Sequence, residues 1–179
     1  MHVVNRTSSS NSYTLTLSGG SLFLPYICLS HTSPDWGLVA SWGGRIYKIT
    51  FQTNSFETFV GQSANSITNG YGTNARFNGP QAISLSPDDS YALVADYNNH
   101  LIRKITMTTA FVDTFAGTSG SAGAVNGVGT NAKLNLPASV SISPDGNFAV
   151  VSNFGSHIIN RIILSTVEVS LLAGTVNSQ

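Results

Sequence analysis

The sequence predicts an all-β chain, a partial β-propeller made of four-stranded antiparallel meander blades, and three observations support that reading. First, one phrase is written three times at a period of about 56 residues. It stands as Ser33-Pro34-Asp35-Trp36-Gly37-Leu38-Val39-Ala40-Ser41-Trp42, as Ser86-Pro87-Asp88-Asp89-Ser90-Tyr91-Ala92-Leu93-Val94-Ala95-Asp96-Tyr97, and as Ser143-Pro144-Asp145-Gly146-Asn147-Phe148-Ala149-Val150-Val151-Ser152-Asn153-Phe154. Second, each repeat divides into short runs with the residue pattern of strands, separated by turn residues. Third, no stretch shows helical periodicity. A unit of this size cannot bury its apolar face without a neighbour, and four-stranded meanders repeated radially leave only short, protected sheet edges.

The elements follow in order along the chain. Residues 1–12 open on a polar stretch and read as a poorly ordered N-terminus. Residues 13–19 read as an orphan strand, because Thr16-Leu17-Ser18-Gly19 aligns with the strand ends Thr58-Phe59-Val60-Gly61 and Thr114-Phe115-Ala116-Gly117. The propeller segment covers residues 13–175, with blades at about 22–61, 80–117 and 137–174. In the middle blade, Gln81 to Leu85 alternates as a strand, and Ser86-Pro87-Asp88-Asp89 turns the chain, proline presetting φ and the acids capping amides. Tyr91 to Ala95, Leu101 to Thr106 and Phe111 to Phe115 complete the meander. The third blade repeats the plan at Ser139 to Ser143, Phe148 to Ser152, Ile158 to Leu164 and Val167 to Leu172, and the first does so in compressed form. The linkers before the second and third blades share one phrase, Asn69-Gly70-Tyr71-Gly72-Thr73-Asn74-Ala75 and Asn126-Gly127-Val128-Gly129-Thr130-Asn131-Ala132. It reads as a backbone turn built on Gly70, Gly72, Gly127 and Gly129, because it lacks the carboxylates of a calcium loop.

Composition narrows the function. Only 9% of residues are charged and the net charge is zero, so no basic field attracts a phosphate backbone and nucleic acid is not an expected partner. Ser, Thr and Asn make up roughly a third of the chain, which points towards an extracellular or cell-surface setting. No apolar run is long enough to span a membrane as a helix. Cys28 is the single cysteine, in the apolar run Tyr26-Ile27-Cys28-Leu29, and reads as a structural thiol.

At Asn99-His100-Leu101, continuing into Ile102-Arg103-Lys104-Ile105, the chain resembles the NHL-repeat propellers, a family named for that triplet. The third blade keeps the histidine in Ser156-His157-Ile158, while the first has Gly44-Arg45-Ile46 and keeps neither asparagine nor histidine. The resemblance implies a scaffold that binds protein, with family branches that bind RNA and one metal-using lyase branch. It also implies more blades than the three written here: the sequence is a fragment, or two copies close one ring as a homodimer, or another chain supplies the rest. The orphan strand favours a fragment.

In a four-stranded meander, alternate connections fall on one edge, so the linkers share a face with the turns between second and third strands. Those turns carry Ser41-Trp42, Asp96-Tyr97 and Asn153-Phe154. Aromatic rings beside amides and hydroxyls suit a peptide or a sugar; the same rings could instead seal each blade against its own linker. The candidate ligand-binding residues are Trp42, Asp96, Tyr97, Asn98, Asn153 and Phe154, the partner a protein or a glycan. His100 and His157 read as structural groups bonded to turns. No nucleophile, base and acid stand out as a set, so neither catalytic residues nor a metal site nor a cofactor is expected. The alternative is a piece of a propeller enzyme resembling metal-dependent lyases or lactonases.

Overall fold

The computed structural model describes residues 3–6, 13–16, 26–63 and 65–176. The first blade is the antiparallel meander β3 (Tyr26–Leu29), β4 (Trp36–Ser41), β5 (Arg45–Thr50) and β6 (Ser55–Gly61). In the second, β8 (Pro80–Leu85), β9 (Tyr91–Asp96), β10 (Leu101–Thr106) and β11 (Phe111–Ala116) follow the same order. The third comprises β13 (Pro137–Ile142), β14 (Phe148–Asn153), β15 (Ile158–Ile163) and β16 (Glu168–Ala173). Each glycine-rich linker adds a short fifth strand, β7 (Gly70–Tyr71) against β11 and β12 (Gly127–Val128) against β16. Gly72 and Gly129 then turn at φ +53 and +55, while Gly70 and Gly127 lie in the short strands. Two of the four glycines therefore supply the left-handed turn, and the phrase as a whole covers the blade's outer edge.

A strand stands at 13–16 within the expected 13–19, but of the expected poorly ordered 1–12 the described part, residues 3–6, is a strand that pairs with it; residues 1–2 and 7–12 lie outside the described residues. Val3–Arg6 forms β1 and pairs antiparallel with β2 (Tyr13–Thr16), next to β6. The sequence carries the reason: His2-Val3-Val4-Asn5-Arg6 matches His157-Ile158-Ile159-Asn160-Arg161, and the alignment runs without a gap to Gly19 and Gly174. β1 and β2 thus correspond to the third and fourth strands of a blade. Residues 17–19 of the expected strand and 22–25 of the first blade lie outside the described residues.

The blades are held face to face. Alternate residues of β9 point to opposite neighbours: Ala92 and Val94 join Leu38, Ala40, Ile46 and Val60 of the first blade, and Leu93 and Ala95 join Val140, Ala149, Val151 and Ile162 of the third. Burial on both faces is why Tyr91 to Ala95 reads as a nearly continuous apolar run. At about 1.5–3 kcal/mol for each fully buried Val, Leu or Ile, these joints outweigh any single hydrogen bond of about 1 kcal/mol. Each linker adds a plug, Phe77 at the first joint and Leu134 at the second, both fully buried.

Candidate functional site: an aromatic row on the linker face

Backbone bonds from Asn98 N–H to Asn78 O (3.1 Å) and from Phe154 N–H to Leu136 O (3.0 Å) tie each turn between second and third strands to the linker entering its own blade. The two kinds of connection therefore share a face. There the rings form one row across the blades. Trp42 and Tyr97 have centroids 5.6 Å apart at 50°, Tyr97 and Phe154 6.3 Å apart at 43°, and Phe154 continues to His157 at 6.2 Å. Tilted rings at such separations attract through their quadrupoles. Trp42 is 43% exposed and Phe154 61%, with Tyr97 half-buried between them. The rings thus pack on one another rather than each on its own linker, and the edge of Trp42 lies over Gly79 of the following linker.

The structure does not bring Asp96 and Asn153 to the surface with them, which corrects their place among ligand contacts. Both are buried beneath the row, at 0% and 2% exposure. Asp96 accepts from the Asn78 N–H (2.7 Å), from Asn99 Nδ2 (2.8 Å) and from Arg103 Nη1 (3.2 Å). Asn153 accepts from the Asn135 N–H (3.2 Å) and donates to Asn160 Oδ1 (2.8 Å). Their work is to hold the linkers. Asn98 stays exposed, its Nδ2 donating to Asn78 Oδ1 at 3.3 Å.

Arg103 is the residue that the sequence reading passed over. It is fully buried, and all five guanidinium donors are used: Asp96, Arg76 O (3.0 Å), Thr68 O (3.2 Å), Asn69 Oδ1 (2.8 Å) and Asp113 O (3.2 Å), with Phe77 beneath the plane at 5.4 Å. Burying both charges is costly. Burial pushes the Asp96 carboxyl up to about 6, against the pull of Asn78, Asn99 and Arg103, and lowers the Arg103 guanidinium. A signal existed in the repeat itself, since Asp96 and Arg103 of the second blade change together to Asn153 and Asn160 of the third.

Two kinds of bond cross the joints. His100 Nδ1 accepts the Leu136 N–H at 3.0 Å, so the histidine of the triplet bonds backbone, but in the following blade's linker. Burial lowers its pKa. Leu136 itself sits at φ +51, a left-handed conformation that is costly for a leucine. Along the inner strands, Cys28 Sγ accepts the Leu85 N–H (3.3 Å) and Ser84 Oγ accepts the Ile142 N–H (3.1 Å), equivalent groups one blade apart. Burial raises the Cys28 thiol pKa, in keeping with a structural thiol. On the opposite face, Asp89 takes the hydroxyls and backbone N–H groups of Ser30, His31 and Thr32 of the first blade. Burial opposes its ionisation, yet these bonds hold its carboxyl below the usual range.

A cavity of about 570 Å³ opens on the linker face at the end of the row, lined by Ala122, Gly123, Ala124, Asn135, Gly155, Ser156, His157 and Val176. A second, of about 360 Å³, lies on the opposite face between His31, Leu85, Pro87, Ile142, Ser143 and Pro144. Among the described residues, no three His, Cys, Asp or Glu side chains are grouped to hold a metal, and no helix is long and apolar enough to cross a membrane.

No protein-family model matches the chain. NHL repeat-containing protein 2 of Bos taurus is 28% identical over 102 residues, which are 57% of this chain and 14% of that protein. Among solved structures, a Bacteroides thetaiotaomicron protein of unknown function superposes with a TM-score of 0.75 at 18% identity, covering 96% of this chain and 42% of that one. An auxiliary nutrient binding protein of Bacteroides ovatus superposes at 0.73 and 20%, covering 96% and 44%. The chain thus spans a small part of its curated relative and less than half of these structures. The repeated meander and these superpositions give the chain a β-propeller fold, and the Asn99-His100-Leu101 triplet together with the curated relative makes it similar to the NHL-repeat propellers.

Proposed function

We propose that this propeller segment is a non-catalytic scaffold that captures a protein or glycan through its linker face, along the row Trp42, Tyr97 and Phe154. The observation that carries the reading is the continuity of that row. Three rings from three blades form one tilted series, and the two outer rings keep much of their surface in water. Such rings add contact area at low entropic cost, and the buried Asp96 and Asn153 beneath them fix the turns that carry them. The likeness to a nutrient-binding protein of the same fold supports a binding role. The groups that would run chemistry are committed elsewhere: Asp96 and Arg103 to each other, Asp89 to the first blade, His100 to a linker amide.

The test is a capture screen against a glycan array and a peptide library, repeated with Trp42, Tyr97 and Phe154 all replaced by alanine. The expected result is a ligand that the wild type retains and the triple variant loses, with unchanged circular dichroism. Equal retention by a folded triple variant would overturn the reading. Stoichiometric zinc or calcium in the purified chain would instead favour an enzyme.

A further inference from the structure

We propose that the cavity beside Phe154 is a binding site for a neutral, hydroxyl-rich molecule of the saccharide class. This rests on the linker face being the binding face and assigns one subsite on it.

The argument comes from comparing two blades built on one plan. In the second blade, the corresponding space is closed by Asn98 and Asn99. Asn98 reaches across to Asn78 Oδ1, and Asn99 Nδ2 donates to Ser66 O at 3.1 Å. In the third blade these residues are Gly155 and Ser156, and the linker positions facing them are Asn135 and Gly123. The shorter side chains leave that gap open, and the cavity runs from it to His157, the position at which His100 of the second blade meets the following linker. The Asn135 side chain leans onto Gly155, occupying the place that a Cβ there would need.

Its chemistry follows from the same exchange. The Asp96–Arg103 ion pair behind the second blade's turn becomes the neutral Asn153–Asn160 pair, so no carboxylate or guanidinium of that network stands behind the site. Ser156 Oγ is buried with no hydrogen-bond partner in the structure. A buried hydroxyl left unmatched costs free energy, and a ligand hydroxyl recovers it once the serine rotamer turns its Oγ towards the cavity. Asn135, His157 and Gly123 line the same cavity, and the exposed Phe154 ring packs against His157 at 6.2 Å. Amide, hydroxyl and imidazole groups around a pocket next to an aromatic ring match the alternating hydroxyls and C–H faces of a sugar.

The experiment titrates the chain with neutral gluco-, manno-, galacto- and xylo-hexasaccharides while following backbone amide resonances. At least one should saturably shift Gly123, Ser156 and His157. Ser156→Asn, which restores the bond that Asn99 makes, should weaken that binding at least about ten-fold without lowering the melting temperature. Gly155→Asn serves as a second filling variant. Trp42→Ala, a ring two blades away, should leave the shifts intact. No saccharide moving these amides, or undiminished binding by both filled variants, would overturn the proposal. A ligand lost on Trp42→Ala but indifferent to Ser156→Asn would overturn it while leaving the row intact as a binding surface, whereas cavity binding combined with an inert row would do the reverse.

Discussion

Arg103 is where residue-scale energetics are most concentrated. Its five donors tie Asp96, Arg76, Thr68, Asn69 and Asp113 to one guanidinium, which holds the linker entering the second blade together with Asp96 and Asn99. Replacing it alone leaves a buried carboxylate and several linker acceptors without a partner. We expect Arg103→Asn to cost about 3–5 kcal/mol, the usual penalty for breaking a buried pair. Asp96→Asn combined with Arg103→Asn copies the Asn153–Asn160 pair and should cost clearly less than the two single changes added together. Urea unfolding of the four proteins measures the coupling; additive losses would show that the two side chains act independently. None of this stood out in the sequence, because an arginine beside a lysine on a short strand reads as a solvated pair unless its partner is known. The substitution of both members together in the next repeat was the legible clue.

At the scale of elements, the meander was legible almost to the residue and the joints were not. Expected strands at Tyr91 to Ala95 and Leu101 to Thr106 match β9 and β10 within one position, because turn residues bracket each run. The joint bond from the Leu136 N–H to His100 Nδ1 links residues far apart in sequence, and local pattern carries no trace of it. It has a pH consequence. A neutral Nδ1 is needed to accept that N–H, and burial lowers the His100 pKa from its ordinary value near 6.5. The unfolded chain therefore takes up a proton before the folded one does. The stabilisation from His100 is complete above about pH 6.5 and declines as pH falls through the lower folded pKa. Measured as the difference between wild type and His100→Asn, the stability gap should narrow on acidification, and a gap constant from pH 8 to 5 would contradict this. The aromatic row was legible as three recurring rings. That Asp96 and Asn153 sit behind it was not, since a short polar side chain next to a ring looks the same whether it points to solvent or to a linker amide.

For the whole molecule, the second blade shows what a complete environment looks like, covered on both faces by Ile83, Val94, Leu93 and Ile102 packing into neighbours. The third blade has one such face covered, while Ile159, Leu171, Leu172 and Val176 remain 37–52% exposed. Apolar surface gathered in this way drives association. Light scattering during size exclusion should give a mass that rises with concentration, and Leu172→Lys should return it towards 18.8 kDa. A strictly monomeric wild type at all concentrations would show that this face is satisfied otherwise. β1 was missed, although its partner β2 lies in the expected strand, because its repeat begins at His2, before the phrase used to set the period; the match to His157 through Gly174 becomes visible only when the third and fourth strands are aligned by themselves.

The inner-strand bonds give this array a direction. Cys28 Sγ and Ser84 Oγ each offer a lone pair forward, and Leu85 and Ile142 each offer an N–H backward. His100 and Leu136 repeat the same polarity at the linker face of the same joint as Ser84. Both joints between the three blades are therefore plugs and sockets of fixed sense, like the monomers of a polar filament. Two forward faces set against each other would bring the Cys28-type acceptors to acceptors and the Ser30, His31 and Thr32 donors to donors, so a symmetric back-to-back pairing is disfavoured from the start. Addition at either end is then heterologous, head to tail, and such an array closes only where the rotation between successive blades returns it to its start.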